Sequence, residues 1–353
     1  MKKLLSVLLV TMLVFTMVGC NKKSGYELAL ITDIGTIDDK SFNQGAWEGV
    51  EKYAKEKNVT YKYYQPAEKT TDAYLNTISL AIDGGAKLVV CPGYLFEEAV
   101  YKAQDLYADT KFIILDGQPH DADYTDFKIN DNVYSIFYAE EQAGFLAGYA
   151  AIKDGYTKLG FMGGMAVPAV KRFGYGFVEG AEYGAKELGL SSVDVKYHYT
   201  GGFDATPEAK AMATSWFNEG TEVIFACGGA VGNSVMAAAK DTDSKVIGVD
   251  VDQSSESETV ITSALKMLSI SVYDGIAAYY ADAFPAGQIV SLSASDDGVG
   301  LPMETSKFST FTQSDYDAIY AELLTGNIKL VRDEDVEDET KIPVEIVKLE
   351  AIN

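Results

Sequence analysis

The chain has 353 residues, 47% of them hydrophobic, which supplies ample core and excludes a disordered protein. Its 52 acidic against 29 basic side chains give a formal charge of −23, so it has no electrostatic footprint for nucleic acid or an anionic lipid surface, and a polyanion is a poor ligand for it. Three cysteines exclude a disulfide scaffold, and two histidines without a Cys/His cluster give little basis for zinc, so no metal or other cofactor is expected.

Met1-Lys2-Lys3 precedes an uncharged apolar run from Leu4 to Val18, the layout of a secretory signal and short for a membrane span. Met17-Val18-Gly19-Cys20 resembles a bacterial lipobox, with methionine where leucine is usual at the first position. Residues 1–19 are then a leader, Cys20 is the lipidated N-terminus and residues 20–25 are a polar tether. Loss of Lys2 and Lys3 takes the charge from −23 to −25. The expectation is a protein anchored by lipid on the outer face of the cell membrane. The 334 residues from Cys20 onward exceed the size at which one core stops growing, so two domains are expected.

Glu27 to Ile31 is a short apolar run of the kind that makes a buried strand. Asp33, Gly35, Asp38 and Asp39 turn the chain, and Ser41 stands as N-cap to a helix whose apolar positions include Ala46, Val50, Tyr53 and Ala54. Phe42 and Asn43 thus occupy the first turn of a helix after a strand, where an open α/β sheet presents groups to a ligand. The ring offers a stacking face and the amide a donor–acceptor pair; the alternative for Phe42 is a hydrophobic staple.

Strands near 27–32, 59–65, 87–91 and 112–116 alternate with helices near 41–57, 71–84 and 95–107, the mark of a parallel sheet. The pattern restarts with a strand at Lys158–Met162 and a long helix ending near Gly189. Strands near 193–199, 222–227 and 245–249 follow, with helices near 206–219 and 229–240. The halves correspond: Lys87–Gly93, a helix, then Phe112–Asp116 parallels Glu222–Gly228, a helix, then Val246–Asp250. The cysteine-to-aspartate spacing is 25 residues in one copy and 23 in the other, and each copy ends a strand in an aspartate. Two such lobes face to face put Asp116 and Asp250 on opposite walls of one cleft. Capping of helix N-termini is the plainer role for the two carboxylates. Farther on, Val260–Lys266 reads as another edge before a helix near 268–283, with short strands at 288–292 and 299–303 and a last helix at 315–324. The charge run Arg332–Glu339 reads as a solvated loop, since its spacing matches no calcium loop.

With Thr32-Asp33, Ser41-Phe42-Asn43-Gln44-Gly45, Gly163-Gly164-Met165 leading to Phe173-Gly174-Tyr175-Gly176-Phe177, and Ile247-Gly248-Val249-Asp250-Val251-Asp252-Gln253 in order, the chain resembles the basic-membrane-protein family across nearly all of its length after the leader. These are lipoprotein, purine nucleoside-binding components of ABC transporters. The resemblance implies a periplasmic binding protein type I fold: α/β, with two Rossmann-like lobes joined by three crossovers. Residues 26–131 plus about 266–290 would form one lobe, and 132–265 plus about 291–353 the other. It also implies a purine-ribose pocket, with Phe42 as one stacking ring and Asn43 and Asp116 at the base edge. Phe203 is the favoured second ring with Phe173 as competitor, and Asp250, Lys266 and the backbone at Gly228 and Gly229 would meet the ribose. Asp33, in the first motif, joins this ligand set; for Lys266 an ordinary surface lysine is the alternative.

The implied function is capture of guanosine, inosine or adenosine by lobe closure, for uptake through a permease, by a monomer. Neither histidine has a partner in a catalytic motif, and no nucleophile elbow or phosphate-binding loop is present, so an enzyme is not expected. The alternatives are a nucleoside-binding surface receptor or antigen uncoupled from transport, and a nucleoside hydrolase using a metal held by Asp33, Asp38 and Asp39.

Overall fold

The computed structural model describes residues 25–352, so the leader, Cys20 and most of the tether lie outside the described residues. The first sheet comprises β1 (Leu28–Ile31), β2 (Tyr61–Tyr64), β3 (Leu88–Pro92), β4 (Lys111–Leu115), β5 (Val133–Tyr138) and β11 (Gln288–Leu292), ordered β11-β5-β4-β3-β1-β2 with every pairing parallel. The second comprises β6 (Lys158–Gly163), β7 (Val193–Tyr199), β8 (Val223–Cys227), β9 (Lys245–Asp250), β10 (Val260–Lys266), β12 (Val299–Gly300) and β13 (Val347–Ala351), ordered β12-β10-β9-β8-β6-β7-β13. Only β12 there runs antiparallel to its neighbour. β1, β3 and β8 are buried along their whole length, which is why they read as unbroken apolar runs. Cys91 and Cys227 are free, buried thiols within these strands.

Helices α1 (Phe42–Lys57), α2 (Thr71–Asp83) and α3 (Glu97–Leu106) serve the first sheet. The chain then crosses through α4 (Glu140–Lys153) to the second lobe, which carries α5 (Pro168–Leu188), α6 (Pro207–Asn218) and α7 (Val231–Thr242). It returns through α8 (Leu268–Tyr280) to β11 and crosses a third time to β12, α9 (Gln313–Leu324) and β13. The three crossings lie side by side. Ala139 N–H donates to the Leu292 carbonyl at 2.9 Å, and Tyr138 and Ser271 share a 2.5 Å hydroxyl contact.

The first sheet runs past the boundary expected at residue 131, because β5 pairs with β4 and β11. β5, α4 and β13 are elements the sequence pattern does not announce. Val133–Tyr138 mixes half-buried and buried positions, and α4 is buried nearly all round, so it lacks a polar face. The helix packs unusually close to α5. A Cβ on Gly144 or Gly148 would strike the carbonyl oxygens of Phe173 and Phe177, and one on Gly176 or Gly180 those of Glu141 and Phe145. Two glycine pairs four residues apart thus let the helix backbones touch, which brings the starts of α4 and α5 together beside the cleft.

Candidate functional site

A cavity of about 550 Å³ opens between the C-terminal ends of the two sheets. Asp33, Phe42, Asn43, Asp116, Phe203, Gly228, Gly229, Asp250 and Lys266 all line it, and so does Phe173. The strand ends that duplicate each other supply its floor. Asp116 follows β4 and Asp250 ends β9, and both adopt left-handed backbone, with φ of 52° and 65°. Aspartate tolerates that region at a cost, and the matched conformation turns each carboxylate away from its strand.

At the start of α1 the capping differs from expectation. Ser41 occupies the N-cap position but its hydroxyl makes no cap bond; it donates to Asp250 Oδ2 across the lobes. Asp39 caps instead, its carboxylate accepting from the backbone N–H groups of Ser41 (2.9 Å), Asn43 (3.0 Å) and Gln44 (3.1 Å). Asn43 is buried, and its amide nitrogen donates to Asp33 Oδ1 at 2.8 Å and Asp39 Oδ2 at 2.9 Å. Its oxygen accepts from Asp33 N–H at 3.2 Å. The amide hydrogens are therefore taken up in holding Asp33 and Asp39; the pKa of Asp33 is raised by burial, against the hydrogen bonds from Gly35 and Asn43.

Lys266 ends β10 and is 4% exposed, which removes the surface-lysine alternative. Its ammonium pairs with Asp116 Oδ2, approaches Glu140 Oε1 at 2.8 Å, and lies 5.1 Å from the ring centres of Phe42 and Tyr138 and 5.5 Å from that of Phe173. Burial alone would lower its pKa, but the carboxylates of Asp116, Glu140 and Asp250 outweigh burial and hold it raised. Burial pushes Asp116 up to about 7 against the pull of Lys266, and Asp250 up to about 6. Asp116 Oδ1 is buried without a partner.

Phe173 is 2% exposed and packs edge-on against Phe225 at 5.9 Å, so its ring belongs to the core beneath the cavity. Phe203 remains half-buried, seated on a glycine platform. A Cβ on Gly164 would lie 2.5 Å from its ring, and one on Gly228, where φ is 143°, would lie 3.1 Å from it and 2.9 Å from Gly164 N. Glu140 and Arg172 also line the cavity and escape sequence reading, because a charged residue at a helix start looks solvent-exposed until its partner is known. Arg172 Nε donates to Asp333 Oδ1 at 2.6 Å, so the charge run after Ile328 is partly buried, contrary to the solvated loop expected.

Among solved structures, one of ABC transporter solute-binding proteins from Aeropyrum pernix K1 superposes with a TM-score of 0.75 at 24% identity, covering 87% of this chain and 94% of that one. A sugar-binding protein of a sugar ABC transporter from Bacillus halodurans gives 0.56 at 14% identity, covering 82% and 98%. The fold is that of type I periplasmic binding proteins. The ABC transporter nucleoside-binding protein BmpA of Lactococcus lactis subsp. cremoris is 30% identical over 307 residues, 80% of this chain and 83% of that protein. Residues 27–334 match the Bmp family of PnrA-like ABC transporter substrate-binding proteins, and the chain belongs to that family.

Proposed function

We propose that the protein captures purine nucleosides between its lobes and delivers them to an ABC permease, held outside the cell membrane by lipid on Cys20. One observation carries this reading: each lobe contributes a half-buried aromatic ring, Phe42 and Phe203, to a cavity whose floor holds paired carboxylates. A purine has two apolar faces and a polar rim. Stacking against rings contributes about 1–3 kcal/mol per aromatic. Asp116 Oδ1, buried and unpartnered, needs a donor such as a ring N–H or an exocyclic amine. Asp250 is placed to accept from ribose hydroxyls, beside the backbone of Gly228 and Gly229. Asn43 acts here by fixing Asp33 rather than by meeting the base itself. The relative named as nucleoside-binding agrees with this ligand class.

Capture works by differential affinity: a ligand that touches both lobes favours the closed arrangement in proportion to contacts the open one lacks. The test is calorimetry of protein unfolded and refolded to strip bound solute, titrated with inosine, guanosine, adenosine, cytidine and ribose. One-to-one binding of purine nucleosides with little response to ribose is expected. Equal binding of ribose or cytidine would refute the stacked purine.

A further inference from the structure

We propose that Asp333, in the acidic strap after α9, is a positioning residue for the cavity, holding Lys266 in place through Arg172 and Glu140 and so setting ligand affinity. The proposal rests on the cavity being the solute site. Asp333 itself lies outside the cavity wall.

The strap is fastened along α5 by that helix's own charged residues. Val331 N–H donates to Glu179 at 2.9 Å, and the N–H groups of Glu345, Ile346 and Val347 all donate to the Glu182 carboxylate at 2.9–3.0 Å. Between these anchors and the cavity, Arg172 bridges two carboxylates: its Nε bonds Asp333 at 2.6 Å, and a terminal nitrogen reaches Glu140 Oε2 at 3.5 Å. Glu140 is 1% exposed, and neither of its oxygens has a partner in hydrogen-bond geometry. It is held by charge alone, from Arg172 on one side and Lys266 at 2.8 Å on the other.

A buried ion in that position depends on its neighbours staying where they are. Asp333 makes the aligned bond that sets where the guanidinium points. With that carboxylate gone, Arg172 closes on Glu140 and draws it off Lys266. Lys266 is then left with Asp116 as its near counter-ion and competes with the ligand for it. The elements so linked are the first crossover (Glu140), the second (Lys266) and the strap of the third pass (Asp333), which gives a segment outside the cavity a hold on its charge geometry.

Asp333→Asn, measured by calorimetry with inosine and by thermal unfolding without ligand, should lose about fivefold or more in affinity, as residues of one charged network couple. Asp333→Glu should restore most of it. Arg172→Lys, which keeps the charge but lacks the planar guanidinium fork whose separate nitrogens face Asp333 and Glu140, should resemble Asp333→Asn. In a Glu140→Gln background, Asp333→Asn should cause no further loss. Unchanged affinity in Asp333→Asn overturns the proposal, and so does an equal loss in the Glu140→Gln background, which would mean that Asp333 does not act through Glu140. Should the unaltered protein bind ribose and not inosine, the nucleoside reading fails, and the same cycle measured with ribose still decides the link.

Discussion

The Ser41 hydroxyl, at the first turn of α1 in one lobe, donates to Asp250 Oδ2 at the end of β9 in the other. Ser41 is free to do so because Asp39 has taken over the helix cap. A second bond reinforces the contact: the side-chain amide of buried Gln253 donates to the Lys40 carbonyl at 2.6 Å. Both cross between the lobes next to the cavity, and both favour the closed arrangement. Hydrogen bonds to charged groups contribute about 1.5–3 kcal/mol. Ser41→Ala is therefore expected to open the ligand-free protein, read as a larger radius of gyration in small-angle scattering that ligand reverses. An unchanged radius would show that the lobes are held together elsewhere.

Protons should stabilise the ligand-free protein. Burial raises Asp116 and Glu179 to about 7 and Asp250 to about 6, from ordinary values of 3.8 for Asp and 4.5 for Glu. Between those values and the raised ones the folded state binds more protons than the unfolded chain. The stabilisation is complete below the unfolded pKa and is lost as pH rises through about 6–7. Lowering the pH from about 8 to about 5 should therefore raise the melting temperature. Asp116→Asn should flatten part of that slope, and a slope of the opposite sign would contradict the assignment. Carboxyls with lowered pKa, such as Asp105 and Asp315, act in the reverse sense at more acid pH.

The duplication was legible because its carriers are backbone features: apolar runs fully buried in parallel strands, glycines at positive φ after β3 and β8, and an aspartate after each following strand. Phe42 and Asp250 could be named for the same reason, since their position relative to a strand end is a matter of local sequence. What stayed hidden depends on partners distant in the chain. Glu140 and Arg172 look like ordinary helix-surface charges until the glycine contacts of α4 and α5 bring them to the cleft. Asp333 lies 161 residues from its partner in a run whose composition says solvent. Ser41 and Asp39 show a subtler limit: both are good capping residues, and only the opposing lobe decides which of them caps.

The two candidate rings should respond differently to truncation. Phe203 is half-buried against glycine backbone, so Phe203→Ala removes a ligand face and little core. It should weaken inosine binding tenfold or more, about 1.4 kcal/mol, with a near-normal melting temperature. Phe173 is packed among Phe225, Lys266 and α4, and Phe173→Ala should cost about 3–5 kcal/mol of stability. Paired calorimetry and thermal unfolding separate the two. Normal affinity in Phe203→Ala with a stable fold would remove it as the second stacking ring.

The charge of the cavity predicts what it refuses. Carboxylates of Asp33, Asp38, Asp39, Glu97, Asp116, Glu140, Asp204 and Asp250 face it, against the cations of Lys266 and Arg172. Both cations are already committed, Lys266 to Asp116 and Glu140, Arg172 to Asp333 and Glu140. A 5′-phosphate brings about −1.5 to −2 charges and needs cationic or N–H partners. To bind, it would have to break the Arg172–Asp333 bond or face the acid wall unpaired. Inosine 5′-monophosphate should therefore bind at least about 100-fold more weakly than inosine, some 2.7 kcal/mol. The difference should narrow as salt screens the more exposed carboxylates. Competition of inosine by the monophosphate at two salt concentrations measures both effects. Equal affinity would mean that Arg172 leaves Asp333 to take the phosphate, and that the cavity is built for nucleotides as well.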